Sequence, residues 1–256
     1  MGNLLQDKAA IVTGAGAGIG EAIARAYADE GARVAVSDIN YAAAERVADD
    51  IDGAIAVTAN VTDEDQVKAL VQQTVDTFGK IDIVVPNAGI ATTTPIIETS
   101  FEDWRKVMAV NLDGVFLTVR HALPAMLAAG GGSIVNISSI TSLKGTPLLA
   151  SYGAAKAAVT NFTATLSAEL RTHGVRANAV VPGFISTELV KSHQADFEAA
   201  LGLAAGGFDD LIAAKQTRYG TVKEIASAAV FLASDLASWC NGTTLVLDGG
   251  FTSSLL

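Results

Sequence analysis

The stretch "KAAIVTGAGAGIGEAIARAYADEG", residues 8–31, decides how the chain is read. An apolar, β-branched run leads into four glycines at alternate positions, Gly14, Gly16, Gly18 and Gly20, and a helical pattern follows. A strand ending at Thr13 and a helix starting near Gly18 place the glycine loop at a helix N-terminus. There, unpaired N–H groups and the positive end of the dipole favour an anion. Glycine admits unusual φ values and removes the Cβ that would keep a pyrophosphate away from the backbone. The spacing Gly14-x-x-x-Gly18-x-Gly20 differs from G-x-G-x-x-G, and no Lys-Ser/Thr pair follows as in an NTPase loop. A tight turn with close helix–strand packing would want the same glycines, so the loop needs support from elsewhere.

Asp38 supplies the first support. It ends the next apolar run, "RVAVSDIN", at the distance expected of an acid that binds the adenosine ribose. Its carboxylate can accept from both ribose hydroxyls and would repel a 2′-phosphate, which predicts NAD(H) over NADP(H).

Further apolar runs at 9–13, 33–37, 54–58, 81–85, 133–138, 175–181 and 243–247 are short and lack strict alternation. This is expected of parallel strands covered on both faces. Helical patterns fill the gaps. Thr62 with Asp65, and Ser100 with Asp103, read as helix starts, and Gly79 as a stop. Pro124 is expected to disturb the helix over 101–128 near its end. A long helix is read over 151–172 and another from Val222. The alternation predicts an α/β fold, a single doubly wound, Rossmann-type domain over 1–256, with a seven-stranded parallel sheet and helices on both faces. The irregular segment 184–220 reads as a substrate lid.

A second constellation lies in "SYGAAKAAV". Tyr152 and Lys156 are four residues apart and share a helix face. A free tyrosine has a pKa of about 10, and a nearby ammonium lowers it. Tyr152 is therefore a candidate acid/base for a hydroxyl or carbonyl. Upstream, Ser139 stands at a strand end, where the fold opens its ligand crevice.

Taken in order, "TGAGAGIG", "NAG" at 87–89, "NLDGVF", "ISS", "YGAAK" and "VVPGFISTEL" make the chain similar, over essentially its whole length, to the classical group of the short-chain dehydrogenase/reductase family. The resemblance implies roles. Tyr152 exchanges a proton with the substrate oxygen. Lys156 lowers its pKa and holds the nicotinamide ribose. Ser139, thirteen residues before Tyr152, bonds the substrate oxygen, and Asn111 holds a water beside Lys156. Gly14, Gly16, Gly18, Ile19, Gly20, Asp38, Asn60, Val61, Asn87, Ala88 and Gly89 would form the cofactor pocket, with Pro182, Gly183, Ile185 and Thr187 at its nicotinamide end. Two residues depart from the family's pattern: Pro86 precedes Asn87 where another Asn is common, and Asn60 stands where an Asp is common. Pro86 lacks an N–H for the strand end, whereas the Asn60 carbonyl can still accept.

The implied activity is an NAD-dependent interconversion of a secondary alcohol and its ketone, as a homotetramer. A 3-oxoacyl-thioester (acyl carrier protein) reductase and a catalytically idle nucleotide-binding sensor on the same fold stay open. A formal net charge of −10, without a Lys/Arg cluster, disfavours nucleic acid. One cysteine, Cys240, excludes an internal disulfide and fits a reducing cytoplasm. No leader or spanning segment is expected. The three histidines lack ligand spacing, so no metal is expected, although His193 in the irregular segment can meet substrate. The substrate pocket is read from "GIATTTPIIE", "SSITSLKGTPLL" and the lid. Ile140, Leu143, Leu149 and Phe184 suggest apolar walls, although helix and strand packing explains such residues equally well, and no basic residue marks an obvious anchor, Lys144 and Lys191 being the candidates.

Overall fold

The computed structural model describes residues 3–253, and all seven expected strands form within it. Met1, Gly2 and residues 254–256 lie outside the described residues, and with them the start of the N-terminal stretch and the end of the apolar C-terminal tail. The strands are β1 (Ala9–Thr13), β2 (Arg33–Asp38), β3 (Ile55–Thr58), β4 (Ile83–Val85), β5 (Gly132–Ile137), β6 (Val175–Pro182) and β7 (Thr244–Leu247). They pair in parallel in the order β3-β2-β1-β4-β5-β6-β7, a doubly wound Rossmann-type sheet. Alternate residues feed two separate cores. In β1, Ala10 and Val12 join Ile23 and Tyr27 on one face, while Ala9 and Ile11 join Leu70 and Met126 on the other. Two buried faces explain why the strand sequences are apolar throughout.

Helices cover both faces: α1 (Gly18–Asp29), α2 (Tyr41–Asp49), α3 (Glu64–Phe78), α4 (Phe101–Met108), α5 (Gly114–Ala128), α6 (Ala150–Leu170) and, late in the chain, α10 (Val222–Ala233). The Tyr27 hydroxyl donates to the Ala229 carbonyl at 3.1 Å and ties α1 to α10. The irregular segment is more ordered than its composition suggests. It holds three short helices, α7 (Glu188–Ser192), α8 (Gln194–Leu201) and α9 (Gly207–Gln216).

Three local expectations need correction. Asp63, not Thr62, caps α3, accepting from the backbone N–H groups of Asp65 and Gln66. The helix starts at Glu64, so Asp63 and not Thr62 stands at its cap, and a carboxylate is the stronger acceptor for orphan N–H groups. Pro124 does not disturb α5, which runs on to Ala128. Pro124 lies on the exposed face, where water can satisfy the carbonyl that its missing N–H leaves. The expected 101–128 helix is also not uniform, because a π-helical turn, Ala109–Asp113, joins α4 to α5.

Candidate active site

Strand order reverses between β1 and β4, and at this switch point a cleft of about 330 Å³ opens past the carboxyl ends of β1, β4, β5 and β6. This is where an open α/β sheet leaves room for a ligand, because adjacent crossovers depart to opposite faces. Gly14, Gly18, Ile19, Asp38 and Ala88 line one end. Ser139, Tyr152, Lys156, Gly183, Ile185 and Thr187 line the other, with Asn87, Pro182 and Gly89 between, Gly89 lying beside Lys156. Gly16, Gly20, Asn60, Val61 and Asn111 are not part of that lining.

The glycine loop is built on close approach. Gly14 has φ +61°, and a β-carbon there would lie 2.7 Å from Ala88 Cα. A β-carbon on Gly20 would run into the Gly14 carbonyl. One on Gly16 would meet Asp38, whose Oδ2 accepts the Gly16 N–H at 3.0 Å. The N-terminus of α1 has Ala17 at its cap and no side-chain hydrogen bond, so its first N–H groups face the cleft uncapped.

Several bracing residues were not legible in the sequence. Thr13 Oγ1 accepts from the N–H groups of Asn87 and Ala88, and Asn87 Nδ2 returns bonds to the carbonyls of Thr13 and Gly14. Asn87 therefore locks the loop with its side chain turned into the protein. Arg46 on α2 donates to the Gly16 carbonyl at 2.9 Å while paired with Glu21 at 2.7 Å. Gln216 Oε1 accepts from Phe184 N and its Nε2 donates to Phe184 O, fixing the start of the segment after β6. Only their places in space mark these residues; an arginine 30 residues from the loop carries no motif.

The two departures have visible consequences. β4 ends at Val85, but the Pro86 carbonyl still accepts from Ile137 N of β5 at 3.3 Å. Asn60 Oδ1 accepts from the N–H and the hydroxyl of Thr62. Its Nδ2 donor, rather than the carbonyl, is thus left over. Val61 is buried, packed against Gly114.

The second end of the cleft separates two neighbouring serines. Ser138 is buried, its hydroxyl bonded to the Lys156 carbonyl at 3.0 Å and to Thr160 Oγ1 at 2.7 Å. Ser139 Oγ instead accepts from Thr141 N at 3.3 Å and neighbours the Tyr152 hydroxyl, and it faces both the cleft and a smaller adjoining cavity. Tyr152 lines the same two spaces. Lys156 is buried, with Nζ donating to the Ile137 carbonyl at 2.8 Å and lying 5.6 Å from the centre of the Tyr152 ring. Burial pulls its ammonium down to about 8. Burial pushes the Tyr152 phenol up, and the neighbouring Ser139 hydroxyl works the other way. A lowering of Tyr152 by Lys156 is therefore not seen in this structure, because Lys156, pulled down to about 8, is already neutral where the raised phenol would ionise.

Asn111 sits on the π-helical turn, fully buried, with Nδ2 donating to the carbonyls of Ile90 and Val107. Its Oδ1 has no partner among the described residues. A β-carbon on Gly89 would lie 2.7 Å from that oxygen and 3.7 Å from Lys156 Nζ, so both groups converge beside Gly89. A π turn is a recurrent way to aim one side chain into a site.

The adjoining cavity is lined by Ile140, Leu149 and Phe184, as expected, and by Ala91, Leu189 and Phe197. Leu143 is instead exposed, and neither Leu143, Lys144 nor Lys191 lines the cavity. Among the described residues, no group of three or more His, Cys, Asp or Glu is placed to hold a metal ion.

Residues 14–252 match the family described as "Enoyl-(Acyl carrier protein) reductase". A cis-4-hydroxycyclohexanecarboxylate dehydrogenase from Sinomonas cyclohexanicum is 41% identical, over 99% of this chain and 100% of that protein. The chain belongs to the short-chain dehydrogenase/reductase family. Its relatives of similar closeness differ in substrate: a 3-oxoacyl-[acyl-carrier-protein] reductase from Synechocystis is 39% identical over 96% of this chain and 97% of its own length. Among solved structures, a gluconate 5-dehydrogenase from Burkholderia cenocepacia in complex with NADP and tartrate matches with a TM-score of 0.89 and 35% identity, over 99% of each chain. This short-chain dehydrogenase/reductase therefore shares fold and full length with oxidoreductases of alcohols and of acyl thioesters.

Proposed function

We propose that the protein is an NAD-dependent dehydrogenase of secondary alcohols, cyclic ones included, with Tyr152 as its acid/base. The observation that carries this reading is that Ser139 and Tyr152 line both the cleft and the adjoining apolar cavity. A substrate carbon seated between them would meet a cofactor from one side and apolar walls from the other.

The residues fit a nicotinamide dinucleotide. Gly14, Gly16 and Gly20 leave a backbone cradle that β-carbons would fill, at an uncapped helix N-terminus suited to a pyrophosphate. Asp38 would take the adenosine ribose, while Lys156 and Tyr152 would hold the nicotinamide ribose. Asn60 and Val61 would flank the adenine; Ala88 and Gly89 would floor the pocket; Pro182, Gly183, Ile185 and Thr187 would close its far end. When bound, the nicotinamide ring accepts or returns the hydride. Ser139 would hold the substrate oxygen, Tyr152 would exchange its proton, and Lys156 would pass that proton towards a water at Asn111 Oδ1. Segment 184–220 would act as the lid of one domain, closing over substrate. Thr187, on this segment, already stands across the cleft from Gly18, with Cγ2 3.8 Å from where a β-carbon on Gly18 would sit.

Exposed apolar side chains, among them Trp239 at 98% and Phe101 at 73%, support a homotetramer; a monomer mass in sedimentation at micromolar concentration would refute it. A single unpaired cysteine, Cys240, is consistent with a reducing cytoplasm. No helix of the described residues is long and apolar enough to cross a membrane. The alcohol reading is tested by following nicotinamide absorbance with cyclohexanol, 4-hydroxycyclohexanecarboxylate and a 3-oxoacyl thioester, each with NAD(H) and NADP(H). Turnover of the thioester alone would establish the reductase reading, and no turnover at all would leave the idle sensor.

A further inference from the structure

His193 joins α7 to α8 and lines the adjoining cavity together with Ser139 and Tyr152. Its side chain is 20% exposed. Its Nδ1 lies 3.1 Å from Thr93 Oγ1, in the loop after β4. Thr93 Oγ1 also donates to Asp196 Oδ2 in a short hydrogen bond. This chain of bonds fixes the tautomer of the neutral ring. Thr93 has one hydroxyl proton, and the carboxylate, which can only accept, takes it. The Thr93 oxygen must then accept from His193, so Nδ1 carries the proton, and in the neutral ring Nε2 keeps its lone pair. Nε2 has no hydrogen-bond partner among the described residues.

Apart from Thr141, whose buried Oγ1 has no partner among the described residues, the remaining walls are apolar, with Phe184 and Phe197 packed edge to face at 6.2 Å. A substrate with one hydroxyl is held at Ser139 and Tyr152 and asks nothing of His193. One with a second hydroxyl, buried against those walls, needs an acceptor. The geometry points to His193 as the specificity-determining residue for that second hydroxyl. The enzyme would then favour diols or polyols whose second hydroxyl lies away from the reacting carbon. Thr93 and Asp196 are positioning residues that set the tautomer, and they also tie the segment after β6 to the loop after β4.

The inference rests on the alcohol dehydrogenase reading, and one experiment separates the two. Oxidation of cyclohexanol, of cis- and trans-1,4-cyclohexanediol and of 4-hydroxycyclohexanecarboxylate is followed with NAD in the wild type, H193L, H193Q and T93V. The expected result is a wild-type preference for one diol in kcat/KM over cyclohexanol. That ratio should fall by about tenfold or more in H193L, because a site built to bond a hydroxyl discriminates strongly against losing the bond. H193Q, whose amide oxygen can accept, should recover part of it, and T93V should lose part of it. If the wild type oxidises none of the alcohols, the alcohol dehydrogenase reading fails. If it oxidises cyclohexanol and the diol ratio is the same in H193L, the reading stands and the assignment of His193 fails. A preference for the carboxylate that H193L abolishes, with none for either diol, would overturn the acceptor assignment, since a carboxylate needs a donor at Nε2.

Discussion

Asn111 Oδ1 and Lys156 Nζ converge on one point beside Gly89, one of them a buried oxygen without a partner and the other a buried ammonium. The site tolerates no side chain there. Gly89→Ala should displace Asn111 by overlap at 2.7 Å and lower kcat by about tenfold or more. Asn111→Ala should lower kcat by about a hundredfold if the side chain orders a proton relay. It should also cost about 1–3 kcal/mol, since the carbonyls of Ile90 and Val107 lose a buried donor. Steady-state kinetics and thermal unfolding measure the two effects separately. Wild-type turnover in a folded Asn111→Ala would remove the residue from the relay.

Neighbouring serines should fail in opposite ways. Ser138→Ala loses bonds to the Lys156 carbonyl and Thr160, so it should unfold at lower temperature, by about 1–2 kcal/mol in stability. Ser139→Ala loses only the 3.3 Å bond from Thr141 N, so it should cost less stability than Ser138→Ala and lose turnover by about a hundredfold. Tyr152→Phe should lose turnover by at least that factor while NADH binding, followed by fluorescence, stays nearly intact. Activity near wild type in Tyr152→Phe would show that another group moves the proton.

Lys156 sets a pH dependence whose sign differs between directions. Its folded pKa lies at about 8, below the ordinary lysine value, because burial disfavours the charged form. Above about 8 the neutral amine can take the proton that alcohol oxidation releases; below it the ammonium is loaded to supply ketone reduction. Oxidation should therefore rise and reduction should fall as pH passes through about 8. The same depression means that the buried ammonium costs stability below about 8, a cost relieved as pH rises towards the unfolded value of about 10.4. In Lys156→Arg, which stays charged, the residual activity should show no break near 8. A break that survives in that variant would assign the titration to another group.

Asp38 should make NAD(H) the better cofactor by at least about tenfold in kcat/KM, equivalent to about 1.4 kcal/mol. Its Oδ2 already organises the loop through Gly16 N, so Asp38→Ala should weaken both cofactors while narrowing the gap between them. Arg46 is the nearby cation that a 2′-phosphate would seek, but Glu21 holds it at 2.7 Å. Adding Glu21→Gln to Asp38→Ala should shift preference further towards NADP(H). Equal kcat/KM for the two cofactors in the wild type would show that Asp38 does not discriminate.

Local chemistry made much of the protein legible. Apolar runs of strand length, glycines before a helix, and an i,i+4 Tyr–Lys pair are each fixed by backbone geometry within a few residues. Seven strands and their parallel pairing could therefore be read from order and spacing, whereas the meeting of Ser139 and Tyr152 at one crevice was implied only by the family resemblance. Even the choice between Thr62 and Asp63 as a cap needed more, because it turned on the residue at which the helix starts. What only the tertiary structure decided depends on residues far apart in sequence and close in space. Arg46 reaches Gly16, Gln216 reaches Phe184, and Thr93 reaches His193 across 100 positions. No local pattern encodes such meetings. Burial, too, belongs to the whole fold: it moves Lys156 to about 8, pushes Tyr152 up and leaves Asn111 Oδ1 without a partner. A side chain's charge is written in the sequence, but the dielectric around it is made by everything packed against it.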